Sequence, residues 1–350
     1  MIRNIAICTN QVPFTVGGAE AHVAGLQSAL LAAGYKAEII ALPFRWYPPV
    51  EIMRSTLMWR LLNLAESNGK PIDLVIGMKF PAYAVEHSRK VLWVIHQHRS
   101  AYNLWGTSFD DLSTYPEGPQ VREFIRSSDQ KFLADSKKIF ANSATVAERM
   151  LYYNKIESEP LYHPPPRAEA LYSAGLGDYI FCPGRLEPQK RQELLIEAMR
   201  HVQSPVKLML AGAAADSSHY ERLVRHHGVG QRVELTGYLE DDKIIELYAN
   251  ALAVGYVPFD EDYGYVTLEA MLAARPVIVT RDSGGAQEFV EDCLTGFVVN
   301  SEPREIAEAF DKLYRDRKMA LELGKRGNDK IRALNLSWSN VVEKLISAAS

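Results

Sequence analysis

The feature that most limits what this chain can fold into is a repeated alternation. Short apolar runs recur at residues 5–9, 37–42, 73–77, 91–95 and 139–142, each separated from the next by a helix-like or loop segment. Near-continuous apolar runs of this kind suit strands of a parallel sheet covered on both faces. The pattern repeats at 179–183, 206–211, 233–235, 252–257, 276–279 and 296–299, and the tail at 303–315, 319–331 and 338–349 reads as helices only. Alternation sustained in this way predicts α/β architecture with doubly wound sheets.

The alternation is interrupted once, by H-P-P-P-R at 163–167 and an Ala- and Gly-rich stretch up to Gly177. At 350 residues the chain also exceeds what one core usually serves. Two Rossmann-like domains are therefore expected: 1–165, a linker at 166–177, and 178–332. A last helix at 333–350 is expected to pack back on the first domain. Ligands of such sheets lie at the carboxyl ends of the strands, so the expected site is the cleft across which the two domains face.

The densest chemistry runs from Pro258 to Met271, P-F-D-E-D-Y-G-Y-V-T-L-E-A-M. An apolar strand precedes it, Gly264 turns the chain, and a helix follows. The start of that helix offers unpaired N–H groups and a partial positive charge suited to phosphate, while Gly264 lets the backbone come close. Glu261 and Glu269 flank it. Carboxylates beside a diphosphate repel it, so both must face neutral, hydroxyl-rich groups on either side, a ribose and a second sugar. That is the outline of a nucleotide sugar. Earlier in the same half, C-P-G-R-L-E-P-Q-K places Arg185 at the end of a strand and Lys190 five residues on. A guanidinium fork and an ammonium point charge suit a departing diphosphate whose charge grows as its bond to carbon breaks.

With G-G-A-E at 17–20, G-R-L-x-x-x-K at 184–190 and E-x7-E at 261–269 in order, followed by E-A-M, P-V-I and G-G-A-Q-E, the chain resembles the retaining glycosyltransferases of the GT-B fold, in particular glycosyltransferase family four. The resemblance implies transfer of a sugar from a UDP- or GDP-sugar to a glycan, lipid-linked or small-molecule acceptor. It further implies that Arg185 and Lys190 bind the diphosphate, that Glu261 holds donor-sugar hydroxyls, that the backbone after Gly264, at Tyr265 and Val266, meets phosphate, and that Glu269 takes the ribose. Leu239 and Asp241, in T-G-Y-L-E-D-D, match the base-contacting loop. In the first half, Gly17 and Gly18 match the loop near diphosphate and acceptor, and His96 matches the histidine near the transferred sugar. The family's mechanism is attack on the face the diphosphate leaves. Tyr263, Ala274 and the linker H-P-P-P depart from its pattern. The same fold also serves sugar-nucleotide epimerases and phosphorylases.

Other classes fit less well. A net charge of −4 argues against a nucleic-acid binder. No G-x-G-x-x-G follows an expected strand, and no G-x-S-x-G elbow occurs. Asp260-Glu261-Asp262 is literally D-x-D, yet it overlaps E-x7-E, and Arg185 and Lys190 already offer countercharge, so neither metal nor other cofactor is expected. The three cysteines, Cys8, Cys182 and Cys293, lie far apart and read as reduced thiols. No secretory leader and no membrane-length apolar run stands out, so a cytoplasmic protein is expected. The aromatic, basic segment 44–60 could rest on the inner membrane face or grip a lipid-linked acceptor. The alternative is a core stripe of Met53, Leu57 and Leu61 with snorkelling arginines.

Overall fold

The structure, a computed structural model, describes residues 2–15 and 17–349; Met1, Val16 and Ser350 lie outside them. The chain divides into two compact units, 1–166 with 337–350, and 167–336.

In the first unit, β1 (Asn4–Gln11), β2 (Lys36–Pro43), β5 (Leu74–Gly77), β6 (Lys90–Val94), β7 (Lys138–Ala141) and β8 (Glu159–Pro160) form one parallel sheet in the order β2-β1-β5-β6-β7-β8. A small hairpin, β3 (Glu66–Ser67) with β4 (Lys70–Pro71), stands apart from it. Alternate residues of β6 supply two cores. Val91 and Trp93 pack with Val23, Leu26 and Leu30 of α1 (Gly18–Ala32), whereas Leu92 and Val94 pack with Val121 and Ile125 of α3 (Gly118–Ala134). This two-sided burial is why the strand reads as a continuous apolar run. The last helix, α11 (Trp338–Ser347), joins the α1 side through Val341 and Leu345. The chain steps from β1 to β2 and then returns to β5 on the other side of β1, so the sheet switches direction between β1 and β5.

Two short helices complete the unit, α2 (Val50–Leu61) and α4 (Ala144–Asn154). On α2 the core-stripe alternative fails for two of its three residues. Met53 packs on the core, but Leu57 is 50% and Leu61 83% exposed, because Ile52, Ser55, Thr56 and Trp59 form the inward face.

The second unit repeats the plan with a different order. β9 (Tyr179–Pro183), β10 (Lys207–Ala211), β11 (Val233–Gly237), β12 (Ala253–Gly255), β13 (Val277–Thr280) and β14 (Gly296–Val299) are all parallel, in the order β11-β10-β9-β12-β13-β14. Five helices lie between and after them: α5 (Gln192–Ala198), α6 (Ser217–His226), α7 (Asp241–Asn250), α8 (Tyr265–Leu272) and α9 (Pro303–Arg315), with α10 (Arg317–Ala333) following. Ile180, Leu195, Leu208, Leu210 and Phe310 anchor the core. The switch point falls between β9 and β12, whose carboxyl ends carry the two richest motifs. Residues 167–177, read from composition as a linker, fold with this unit. Arg275 reaches Ser173 Oγ at 2.6 Å and the Ala174 carbonyl at 3.0 Å.

Candidate active site

At the end of β9 the chain passes through Gly184 and Arg185 into a 3₁₀ turn, Pro188–Lys190, that carries Lys190 toward the end of β12. The next residue fixes that placement. Arg191 donates to the carbonyls of Val257 (2.8 Å) and Pro258 (2.9 Å), to Thr280 Oγ1 (2.8 Å) and to both oxygens of Asp282 (2.7 and 2.8 Å). One guanidinium thus staples the loop after β9 to the loop after β12. Burial alone would raise the Asp282 carboxyl; its bonds from Arg191, Ser301 and Thr280 override this and hold it well below the usual carboxylate range.

Lys190, Tyr256 and Glu261 converge beside the staple. Lys190 ion-pairs with Glu261 and donates to the Tyr256 hydroxyl at 3.2 Å, and that hydroxyl donates to Glu261 Oε2 at 2.9 Å. Burial pushes the Glu261 carboxyl up, but the Lys190 ammonium outweighs it and the carboxyl sits below its ordinary value. Burial likewise disfavours the Lys190 charge, and Glu261 more than restores it. Both groups remain ionised.

Gly264 adopts φ 74°, the left-handed region that favours glycine, and α8 starts immediately after it without a side-chain cap. The G-G-A segment packs under this turn. A Cβ at Gly284 would lie 2.6 Å from the Glu261 carbonyl oxygen, so only glycine admits that approach. Tyr265 and Val266 occupy the first turn of α8, where helix N–H groups point outward.

Glu269, one turn further along α8, is 3% exposed. Arg167 donates to its Oε1 at 2.9 Å and Tyr248 to its Oε2 at 2.9 Å. Arg167 also bonds Asp241 Oδ1 through Nε (2.9 Å) and Nη2 (2.6 Å), at the start of α7. Burial raises the Glu269 carboxyl, and Arg167 and Tyr248 oppose that only in part.

Two clusters therefore emerge: Lys190 with Glu261, and Glu269 with Asp241. Arg185 is half exposed and pairs with Glu187 at 3.0 Å. Leu239 is half buried in the loop before α7. In the first unit Gly17 and Gly18 open α1 beside the β1–β5 switch point, with Glu20 paired to Lys79 at 3.2 Å. His96 follows β6 half buried, its Nδ1 2.7 Å from the Gln97 carbonyl. Among the described residues no three His, Cys, Asp or Glu side chains converge as a metal-holding group, and no helix is long and apolar enough to cross a membrane. Arg167, Arg191, Tyr248 and Tyr256 are site residues that motif reading passes over. Arg191 adjoins Lys190 and Tyr256 precedes P-F-D-E, so proximity to the motifs is the signal that could have found them.

Residues 174–330 match the family described as glycosyl transferases group 1. A GDP-mannose-dependent alpha-(1-6)-phosphatidylinositol monomannoside mannosyltransferase of Mycobacterium tuberculosis is 26% identical over 285 residues, covering 77% of this chain and 72% of that protein. The human alpha-1,3/1,6-mannosyltransferase ALG2 is 27% identical over 245 residues, 65% of this chain and 58% of its own length. Among solved structures, sucrose-phosphate synthase from Thermosynechococcus elongatus gives a TM-score of 0.76 at 19% identity, covering 99% of this chain and 100% of that one. Anabaena Alr3699/HepE, in complex with UDP and glucose, gives 0.70 at 17% identity over 99% and 100%.

Proposed function

We propose that the chain is a group 1 glycosyltransferase of the GT-B fold and that it moves a hexose from a UDP- or GDP-sugar to a hydroxyl of a glycan, lipid-linked or small-molecule acceptor, with retention and without a metal. The observation that carries this reading is the Lys190, Tyr256 and Glu261 cluster at the carboxyl ends of β9 and β12, four residues before α8 begins. Arg185 and Lys190 neutralise the leaving diphosphate. The N–H groups at Tyr265 and Val266 meet phosphate where Gly264 opens the backbone. Glu261, kept ionised by Lys190, accepts hydroxyls of the donor sugar, and Glu269 accepts those of the ribose. Leu239 and Asp241 face the base. Gly17, Gly18 and His96 serve the acceptor and the transferred sugar. The acceptor oxygen bonds to the anomeric carbon on the face from which the diphosphate leaves, the carbon–phosphate-oxygen bond breaks, and the acceptor's proton passes to a diphosphate oxygen.

A lipid-linked acceptor is supported by the surface of α2, where Leu57, Met58 and Leu61 are exposed with Arg54. The mycobacterial relative is named for a phosphatidylinositol monomannoside, which supports such a substrate. An Arg185→Ala, Lys190→Ala double variant is expected to lose at least about a hundredfold in kcat/KM on the preferred donor, the scale of removing preorganised charge stabilisation. Undiminished turnover would end the leaving-group assignment. Loss of activity with a chelator would overturn metal independence, and inversion in the proton coupling at the new anomeric centre would overturn retention.

A further inference from the structure

Arg167 lies outside the ordered motifs at 17–20, 184–190 and 261–269, yet it is the residue that joins the two acids assigned to the nucleoside. Its side chain is 28% exposed, and its guanidinium spans from Glu269 on α8 to Asp241 on α7. The pair it bridges could not sit together unaided. Glu269 is nearly withdrawn from water, and a second carboxylate beside it adds repulsion that only an interposed cation removes. The planar fork meets both acids at once: Nη1 serves Glu269, and Nε with Nη2 grips one oxygen of Asp241. Tyr248 fixes the other oxygen of Glu269. With one donor on each oxygen, the carboxylate plane is set and its remaining lone pairs stay available to hydroxyls. Asp241 is held through Oδ1, and its side chain is 71% exposed.

We infer that Arg167 is a positioning residue for the donor nucleoside, orienting Glu269 toward the ribose and Asp241 toward the base as a single unit. The inference rests on the proposed ribose role of Glu269, and its test separates the two. Calorimetric Kd values are measured for whichever of GDP and UDP the parent binds more tightly, and for its 2′,3′-dideoxy counterpart, with the parent, Arg167→Ala, Arg167→Lys and Glu269→Ala. The parent is expected to bind the dideoxy nucleotide about tenfold more weakly, the scale of hydrogen bonds to a charged acceptor. Arg167→Ala is expected to bring that ratio close to one while raising the donor KM more than it lowers kcat. Arg167→Lys is expected to keep an intermediate ratio, since an ammonium can serve Glu269 but cannot fork to Asp241 as well.

A ratio unchanged in Arg167→Ala but abolished in Glu269→Ala would overturn the inference and leave the ribose reading standing. A Lys variant indistinguishable from the parent with both nucleotides would overturn it as well, including where the Ala variant does not fold. A parent that ignores the ribose hydroxyls would bring down the ribose reading and this inference together.

Discussion

In the second unit three acids of the candidate site each have a cation against them: Lys190 on half-buried Glu261, Arg167 on buried Glu269, Arg191 on half-buried Asp282. The first unit treats buried charge differently. Asp129 is met by the Tyr102 hydroxyl at 2.7 Å, and burial pushes its carboxyl up to about 7. Lys90 donates to the carbonyls of Tyr83 (3.2 Å) and Phe132 (2.9 Å), and burial pulls its ammonium down to about 8. His22 and His163 stack at 3.7 Å, and burial drives both rings toward neutrality. The acids of the candidate site are held charged by cations, whereas these first-unit groups are pushed toward their neutral forms by burial. A site for an anion flanked by hydroxyls needs the first kind, and a scaffold tolerates the second. Glu269 is the intermediate case, raised by burial despite Arg167, which is why the arginine's position matters.

The strongest way to break this contrast is Lys190→Met. Removing one member of a buried ion pair strands the other, a loss of roughly 3 to 5 kcal/mol. Lys190 and Glu261 keep 24% and 20% of their side chains in contact with solvent, so about 3 kcal/mol is expected. The loss should appear in hydrogen exchange of the second unit and leave the amides of the first unchanged. Protection of the second unit equal to the parent's would show that the pairing does not hold it together. The pH dependence has a definite sign. Because Glu261 titrates below its ordinary value, its contribution is present above the unfolded value and fades as pH falls through the folded one. The parent should therefore lose more second-unit stability on acidification than the variant does.

The same contrast explains what could be read in advance. Strand positions were legible because burial on both faces of each sheet writes itself as an apolar run, as in V-L-W-V of β6. The strand order was not, since nothing local tells β5 to return beside β1 or β12 beside β9. Lys190, Glu261, Gly264 and Glu269 were legible because each lies within a spaced motif. Arg167 was not. Its partner Glu269 is 102 residues away, and beside three prolines it reads as a solvated linker cation. Tyr248 is hidden for the same reason, its hydroxyl meeting Glu269 only through the fold, whereas Tyr256 stands beside a motif. On α2 the reading as core failed at Leu57 and Leu61 because apolar side chains surround the helix, leaving no polar stripe to mark which face is inward.

Asp129→Asn tests the other side of the contrast and should have the opposite sign. An acid whose folded value is raised favours folding while protonated. That advantage is whole below its unfolded value of 3.8 and is lost as pH rises toward about 7. The variant cannot ionise, so at pH 8 its first unit should be about 1 to 2 kcal/mol more stable than the parent's. The gap should close toward pH 4. A variant less stable at pH 8 would mean that the ionised carboxylate holds Tyr102, and the first unit would then keep buried charge just as the second does.

The smallest stability effect is expected at the surface, where the contrast runs the other way. The exposed large apolar residues of the second unit, Tyr172, Tyr238, Leu294, Leu321 and Leu334, come from separate loops and α10. In the first unit Val50, Leu57, Met58 and Leu61 share one face of α2, spaced as successive helical turns, with Arg54 among them. Leu57→Ser with Leu61→Ser removes apolar surface that the folded chain leaves half or more exposed, so stability should change by less than about 0.5 kcal/mol. If that face rests on a bilayer, flotation with vesicles containing anionic phospholipid should fall several-fold in the variant, because each leucine withdraws apolar area from water only in the bound state. Flotation equal to the parent's would remove the α2 face as support for a lipid-linked acceptor and leave the stripe as surface alone. A stability loss of the size expected for Lys190→Met would instead mean that these leucines belong to the core of the first unit.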